Sequence, residues 1–136
     1  IGLTVERVPE SVMEFYIEFL ELAKTDRHTA VMEYCHFEDV ESRDLTASAP
    51  NLREYEIIEW ECLSDNLWAV EAKLTDITFP HGCYGMNYVG RIDGKYYVMT
   101  GIGQIPYELS AGLDIEHYEP WGEDVVDPED IIGPIT

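Results

Sequence analysis

Histidines and cysteines are the side chains of this sequence that could ligate a metal ion or act in nucleophilic catalysis. No two histidines have the spacing of metal ligands, and the cysteines form no CxxC or CxH pattern. No serine or cysteine stands in a recognisable base-paired setting, and no glycine-rich phosphate loop precedes a helix. We therefore predict neither hydrolytic nor metal-dependent chemistry, and no cofactor. The residues considered are His28, His36, His81, His117, Cys35, Cys62 and Cys83.

The three cysteines fall at positions that favour burial. Cys35 lies on the apolar side of a predicted helix, and Cys62 and Cys83 lie in strand patterns. Such positions predict reduced thiols that pack as small hydrophobic groups. In an oxidising compartment, a Cys35–Cys62 disulfide is the alternative.

Charge is the most unusual property of the composition. The chain has 28 acidic against 8 basic residues, a net charge of −20. Such a charge repels nucleic acid and anionic lipid, and no apolar run approaches the roughly 20 residues of a membrane span. We therefore expect no nucleic-acid partner and no membrane insertion. No Lys or Arg follows Lys95, while nine acids lie between residues 108 and 130, which predicts either a solvated acidic tail or a docking surface for a basic protein.

The first residues bear on localisation. The chain opens Ile1-Gly2-Leu3 without an initiator methionine, so we expect that a preceding segment has been removed. A cleaved signal would place the protein outside the cytoplasm, secreted or anchored to the envelope. Excision of a domain from a longer chain is the alternative and leaves a cytoplasmic location open.

Two amphipathic helices are predicted first. Apolar residues at helical spacing predict a helix from about Pro9 to Lys24, with Ser11 and Glu14 as a capping box. A shorter helix from about Arg27 to His36 follows, capped by Thr25 or Asp26. Residues 37–52 are ambiguous, with a short helical piece between 37 and 45.

Four strands follow in two hairpins. The first two, about 53–63 and 68–78, are joined by a three-residue loop that sets Trp60 opposite Ala72 and Glu59 opposite Lys73. The third is 83–92, and Asp93-Gly94 then predicts a type I′ turn into a fourth strand at 95–105. This register places four large side chains on one face, predicted to be concave and to pack on the first helix. They are Tyr84, Met86, Tyr88 and Met99.

Helices followed by an antiparallel sheet predict an α+β fold. We expect the helices to pack inside a strongly curved sheet of four or more strands, forming a cone-shaped roll over residues 1–106. Residues 107–136 are predicted to form an acidic, irregular C-terminal extension. The concave side would enclose a pocket, lined by Tyr16, Phe19, Tyr34, Tyr84, Met86, Tyr88 and Met99.

Residues 9–105 resemble the nuclear transport factor 2-like superfamily, whose fold is a cone of curved antiparallel sheet around a long first helix. The resemblance rests on the opening helix through Phe19-Leu20-Glu21-Leu22-Ala23-Lys24-Thr25-Asp26, on a second helix entering at Ala30, and on the hairpin around Asp93-Gly94. Cystatin-like folds share the plan of a helix on a sheet, but usually have one helix before the strands.

The superfamily includes isomerases, dehydratases, transport factors and binding domains, so the resemblance leaves function open. Its steroid-isomerase branch implies a helix tyrosine as hydrogen-bond donor and a carboxylate as base. Tyr16 matches the donor, and Asp39 or Asp44 the base, but no acid occupies the concave face of strands three and four. Any chemistry would then be proton transfer inside the cone.

Three functions follow as hypotheses. The first is a non-catalytic domain that binds a small apolar molecule or a protein partner through the cone. The second is an isomerase or dehydratase that uses Tyr16 and Asp39. The third is an acidic immunity or inhibitor protein for a basic partner. A homodimer through the sheet is a further expectation.

Overall fold

Helices precede a four-stranded antiparallel sheet in the computed structural model, which describes residues 8–113. The predicted α+β class and element order are confirmed. The strands follow one another in the order β1-β2-β3-β4, and the sheet is open. The elements are α1 Glu10–Thr25, α2 Arg27–Tyr34, α3 Val40–Ala47, β1 Glu54–Ser64, β2 Leu67–Thr75, β3 Cys83–Ile92, β4 Lys95–Met99, a 3-10 turn Ile102–Gln104 and α4 Tyr107–Ser110.

Helix α1 lies where its apolar periodicity predicts it. Residues spaced three and four apart form its buried face: Val12, Tyr16, Phe19, Leu20 and Ala23. The capping box predicted from Ser11 and Glu14 is wrong. Ser11 lies inside the helix and its hydroxyl hydrogen-bonds Tyr96, while the helix begins with Pro9, whose carbonyl accepts from two backbone amides. Asp26, not Thr25, caps α2 and accepts hydrogen bonds from Thr29.

The predicted type I′ turn of the second hairpin is confirmed. Asp93 and Gly94 both have positive φ, 53° and 79°, as a type I′ turn requires. Tyr97 lies opposite Gly90 and Met99 opposite Tyr88, as predicted. Strand β4 nevertheless ends at Met99 instead of continuing to Ile105, because the chain turns back and packs Ile105 and Leu109 against the sheet.

The register predicted for the first hairpin is wrong. The turn has two residues, Asp65 and Asn66, because Leu67 belongs to β2. Strand β1 also has two irregularities, one between Ile57 and Glu59 and one before Ser64. Each places an extra residue in the strand, which the alternation of side chains does not reveal. Trp60 therefore pairs with Val70, and Glu59 pairs with Glu71 rather than Lys73.

Strand β2 is shorter than predicted and ends at Thr75. The next residue, Asp76, accepts hydrogen bonds from the backbone amides of Thr78 and Phe79, at 2.8 and 2.9 Å. This side-chain turn takes the backbone out of the ladder, as short acidic residues do at strand ends. The loop that follows connects to β3, whose bounds agree with the prediction.

The two faces of the sheet belong to different hydrophobic clusters. The face toward the helices joins the core of α1 and α2, with Trp60, Trp68, Val70, Ala72, Leu74, Val89 and Val98. The opposite face forms a second cluster with the segment that follows β4. Its buried members are Leu67, Ala69, Tyr88, Met99 and Ile105.

The predicted packing of the Tyr84, Met86, Tyr88 and Met99 face on helix α1 is therefore wrong. Tyr88 and Met99 are buried on the far side of the sheet, while Val89 and Val98 face the helices. Around Tyr88–Val89 and Val98–Met99, strands β3 and β4 are covered on both faces. Hydrophobic alternation alone does not show which face a helix covers when both are apolar.

Candidate functional site

The residues predicted to line one pocket are divided between the two clusters. Tyr16, Phe19 and Tyr34 lie on the helix side of the sheet, and Met86, Tyr88 and Met99 on the far side. Tyr84 follows the alternation of β3 onto the far side, where it pairs with Lys73. The sheet thus separates the two halves of the predicted pocket.

Tyr16 is enclosed in the helix-side core. Its side chain has no solvent exposure, and its ring contacts Phe19 and Trp60. The Tyr16 hydroxyl accepts a hydrogen bond of 2.7 Å from the buried Asn87 amide, whose Oδ1 has no partner among residues 8–113. Burial raises the pKa of Tyr16 well above its usual value. This environment keeps the hydroxyl neutral and holds it inside packed side chains.

The candidate bases lie at the surface. The Asp39 carboxylate caps α3, accepting a hydrogen bond from the Ser42 amide and another from Gln104. The bond to the Ser42 backbone lowers the pKa of Asp39. Asp44 is exposed and pairs with the neighbouring Arg43. Neither carboxylate shares a hydrogen bond with Tyr16, so the structure does not assemble the donor and base that the isomerase resemblance implies.

A cavity of about 310 Å³ lies between α2 and α3. It contains His36, whose Nε2 lies 2.6 Å from a Glu38 carboxylate oxygen, and it borders Cys35. Burial raises the pKa of the Cys35 thiol to about 12, so the sulfur is protonated and a poor nucleophile at neutral pH. No disulfide joins Cys35 and Cys62, so the alternative predicted for them is not formed.

Residues 8–113 contain no group of three side chains that could hold a metal ion. Within the same range, no helix is both long and apolar enough to cross a bilayer. His117 and the acids from residue 114 onward lie outside the described residues.

The far side of β1 and β2 presents a surface that we call the acidic face. It consists of Glu56, Glu59, Glu61 and Glu71. Glu56 and Glu59 are exposed, and Glu61 and Glu71 are half-buried. Lys73 is the base on the same side; it lies opposite Glu56, with its ammonium group 5.6 Å from the centre of the Tyr84 ring. The four acids of this face and Lys73 therefore lie together on this part of the sheet, and Glu54 precedes them on the same side at the start of β1.

The pair of Glu59 and Glu71 is unfavourable in the protein alone. The two residues lie directly opposite each other on neighbouring strands, and neither forms an ion pair among residues 8–113. Like charges in this position destabilise a sheet. A cationic group from a partner would remove that repulsion.

The acidic face borders the second cluster. Met86 lies opposite Glu71 on β3 and is half-buried at the edge of the cluster. Glu61 lies close enough to Tyr88 to contribute to its raised pKa, of which burial is the main cause. The segment after β4 covers the cluster itself, so the far side is divided into a covered apolar half and an open acidic half.

Sequence reasoning did not identify the acidic face. The sequence does contain a pattern that indicates it. Glutamates at 54, 56, 59 and 61 are two residues apart along β1, except for the three-residue spacing between 56 and 59. The bulge at Ile58 lies within this longer spacing and places all of these glutamates on one face of the sheet. Without the bulge, alternation would place Glu56 and Glu59 on opposite sides of the sheet.

Neither protein-family models nor curated proteins match this sequence, and no solved structure matches its fold.

Proposed function

We propose that this protein is a non-catalytic domain that binds a protein partner with a basic surface through the acidic face. The observation that supports this most directly is the Glu59–Glu71 pair on the open half of the sheet. Local repulsion between like charges within a fold is expected at sites under functional constraint. Binding lysine or arginine there would turn an unfavourable arrangement into a favourable one.

A protein partner fits this surface better than a small apolar molecule. The side chains predicted to line an apolar pocket are instead packed into two clusters on opposite sides of the sheet. Met86 and Tyr84 provide half-buried apolar surface beside the acids. Methionine and tyrosine are enriched in protein interfaces, where they lie beside polar groups.

The negative charge of the acidic face limits the classes of partner that it can bind. Four acids against Lys73 exclude phosphate backbones from the acidic face by repulsion. A homodimer through this face would bring two acidic surfaces together, so it is disfavoured for the same reason. An immunity or inhibitor protein that neutralises a basic toxin is one form of this proposal.

The family and the curvature of the sheet also remain proposals. Helices that precede an antiparallel sheet, with the Asp93-Gly94 hairpin last, support a nuclear transport factor 2-like fold with a cone-shaped roll. Binding domains without catalysis occur in that superfamily. The function proposed here does not depend on this assignment.

Titration with a cationic peptide tests where the protein binds positive charge. We expect oligolysine to shift the backbone amide resonances of Glu59, Glu71 and Met86 in two-dimensional NMR spectra. We expect the shifts to shrink as salt rises from about 50 to 500 mM, because screening shortens the range of charge interactions to a few ångströms. Oligoglutamate serves as the control peptide and should cause no shifts. Equal shifts at the exposed helix acids Glu14 and Glu33, or shifts independent of salt, would contradict the proposal.

A further inference from the structure

A second cavity, of about 500 Å³, lies at the end of the first hairpin, on the helix side of the sheet and away from the acidic face. Its volume is in the range of small-molecule sites. Side chains from the start of α1, the end of β1, the turn and the two middle strands line it. They are Pro9, Cys62, Ser64, Asp65, Trp68 and Arg91.

Arg91 is held rigidly at this cavity. Its Nε donates to the Asn66 side chain and its Nη2 to the Asp65 carbonyl, both at 3.0 Å. The guanidinium carbon also lies over the rings of Trp68 and Tyr96, 5.6 and 5.8 Å from their centres. All four contacts are with uncharged groups, and Arg91 has no ion pair in the part of the chain that the structure describes.

Trp68, beside Arg91, also has a polar group without a partner in the described part of the chain. It is 2 % exposed, and its indole Nε1 is buried without a hydrogen-bond partner among residues 8–113. A buried donor left unpaired costs free energy, and most such groups in folded proteins find a partner. Trp68 lines the cavity, so its indole reports on a ligand bound there.

We propose that this cavity binds a small aromatic or aliphatic carboxylate. The planar, preorganised guanidinium of Arg91 matches a carboxylate, and its charge lacks an anionic partner. Trp68 forms part of the cavity wall beside the guanidinium. Asp65 is exposed at the rim and weakens binding by repulsion. This site is separate from the acidic face, and the inference does not rest on the proposed protein partner.

Titration with benzoate and with neutral benzamide tests the inference through the indole N–H resonance of Trp68, assigned with Trp68→Phe. We expect benzoate to move this resonance saturably, with a Kd of about 1 mM or lower, and benzamide to bind at least tenfold more weakly. The Trp60 indole, in the helix-side core, is the internal reference and should not move.

Substitutions then separate the roles of the charged groups. Arg91→Gln should weaken benzoate binding about tenfold or more, and Asp65→Asn should strengthen it severalfold. Arg53→Gln removes the same charge just before the start of β1, at the opposite end of that strand from the cavity, and should leave the affinity unchanged. Each variant is first checked for a folded spectrum. An unmoved Trp68 resonance, equal binding of benzamide, or equal effects of Arg91→Gln and Arg53→Gln would overturn the inference.

Discussion

Replacement of Met99 by Asp is expected to lower the free energy of unfolding by about 3–5 kcal/mol, the cost of an uncompensated buried charge. Met99 has no solvent exposure and lies at the centre of the second cluster, among Leu67, Tyr88 and Ile105. The segment after β4 covers it so closely that a Cβ at Gly90 would lie 2.7 Å from Leu109 Cδ1. An aspartate there would be enclosed by apolar side chains and shielded from solvent. Urea denaturation followed by circular dichroism measures the loss.

Two control variants separate the effect of the buried charge from other effects of the substitution. Met99→Leu keeps the volume and apolar character of the side chain and should cost less than about 1.5 kcal/mol. Met32→Asp introduces the same charge at an exposed position of α2 and should change stability little. If Met99→Asp is as stable as Met32→Asp, the far side of β4 is not covered and the division of the sheet is wrong.

Replacement of Arg27 by Met is the second change with a large expected effect, again about 3–5 kcal/mol. Arg27 Nη1 donates to the Asp76 carboxylate at 3.3 Å and to the Pro50 carbonyl at 3.1 Å, joining α2 to the end of β2. The exposed fractions of the Arg27 and Asp76 side chains are 17 % and 11 %. Removing the guanidinium leaves a carboxylate that is largely buried without its cation. The change in urea midpoint measures the cost.

Asp76→Asn in the Arg27→Met background identifies the cause. Asparagine keeps an oxygen for the amides of Thr78 and Phe79 but carries no charge, so it should restore part of the lost stability. Arg43→Met breaks an exposed pair with Asp44 and should have little effect. A double variant no more stable than Arg27→Met would show that the buried charge is not the source of the loss.

Local chemistry made the second hairpin predictable. A type I′ turn requires positive φ at two adjacent positions, and Asp93-Gly94 is a pair that adopts it readily. Its two-residue loop then sets Tyr97 opposite Gly90 without further information. The first helix is equally local, because its apolar face repeats every three to four residues.

The acidic face could not be predicted because it depends on contacts between residues that are far apart in the sequence. The bulge at Ile58 decides which glutamates of β1 share a face, and it is stabilised by pairing with β2 rather than by its own residue type. The side of the sheet that Met99 occupies depends on residues 102–113, which fold back over it. Tyr16 and Asp39 were linked only by a family resemblance, and the capping role of Asp39 turns its carboxylate to Ser42 and Gln104.

The most direct test of the proposed function is to neutralise the acidic face and measure binding of oligolysine by calorimetry at low salt. The variant replaces Glu56, Glu59, Glu61 and Glu71 with Gln. The control replaces four exposed helix acids, Glu10, Glu14, Glu33 and Glu41, and so removes the same net charge. Removing the Glu59–Glu71 repulsion should also stabilise the sheet by about 0.2–1 kcal/mol, so lost binding would not reflect unfolding.

We predict that the acidic-face variant loses about tenfold or more in affinity, about 1.4 kcal/mol, while the control stays within about twofold of the unmodified protein. Equal losses in the two variants would contradict the account, because binding would then follow net charge rather than the arrangement of glutamates on β1 and β2.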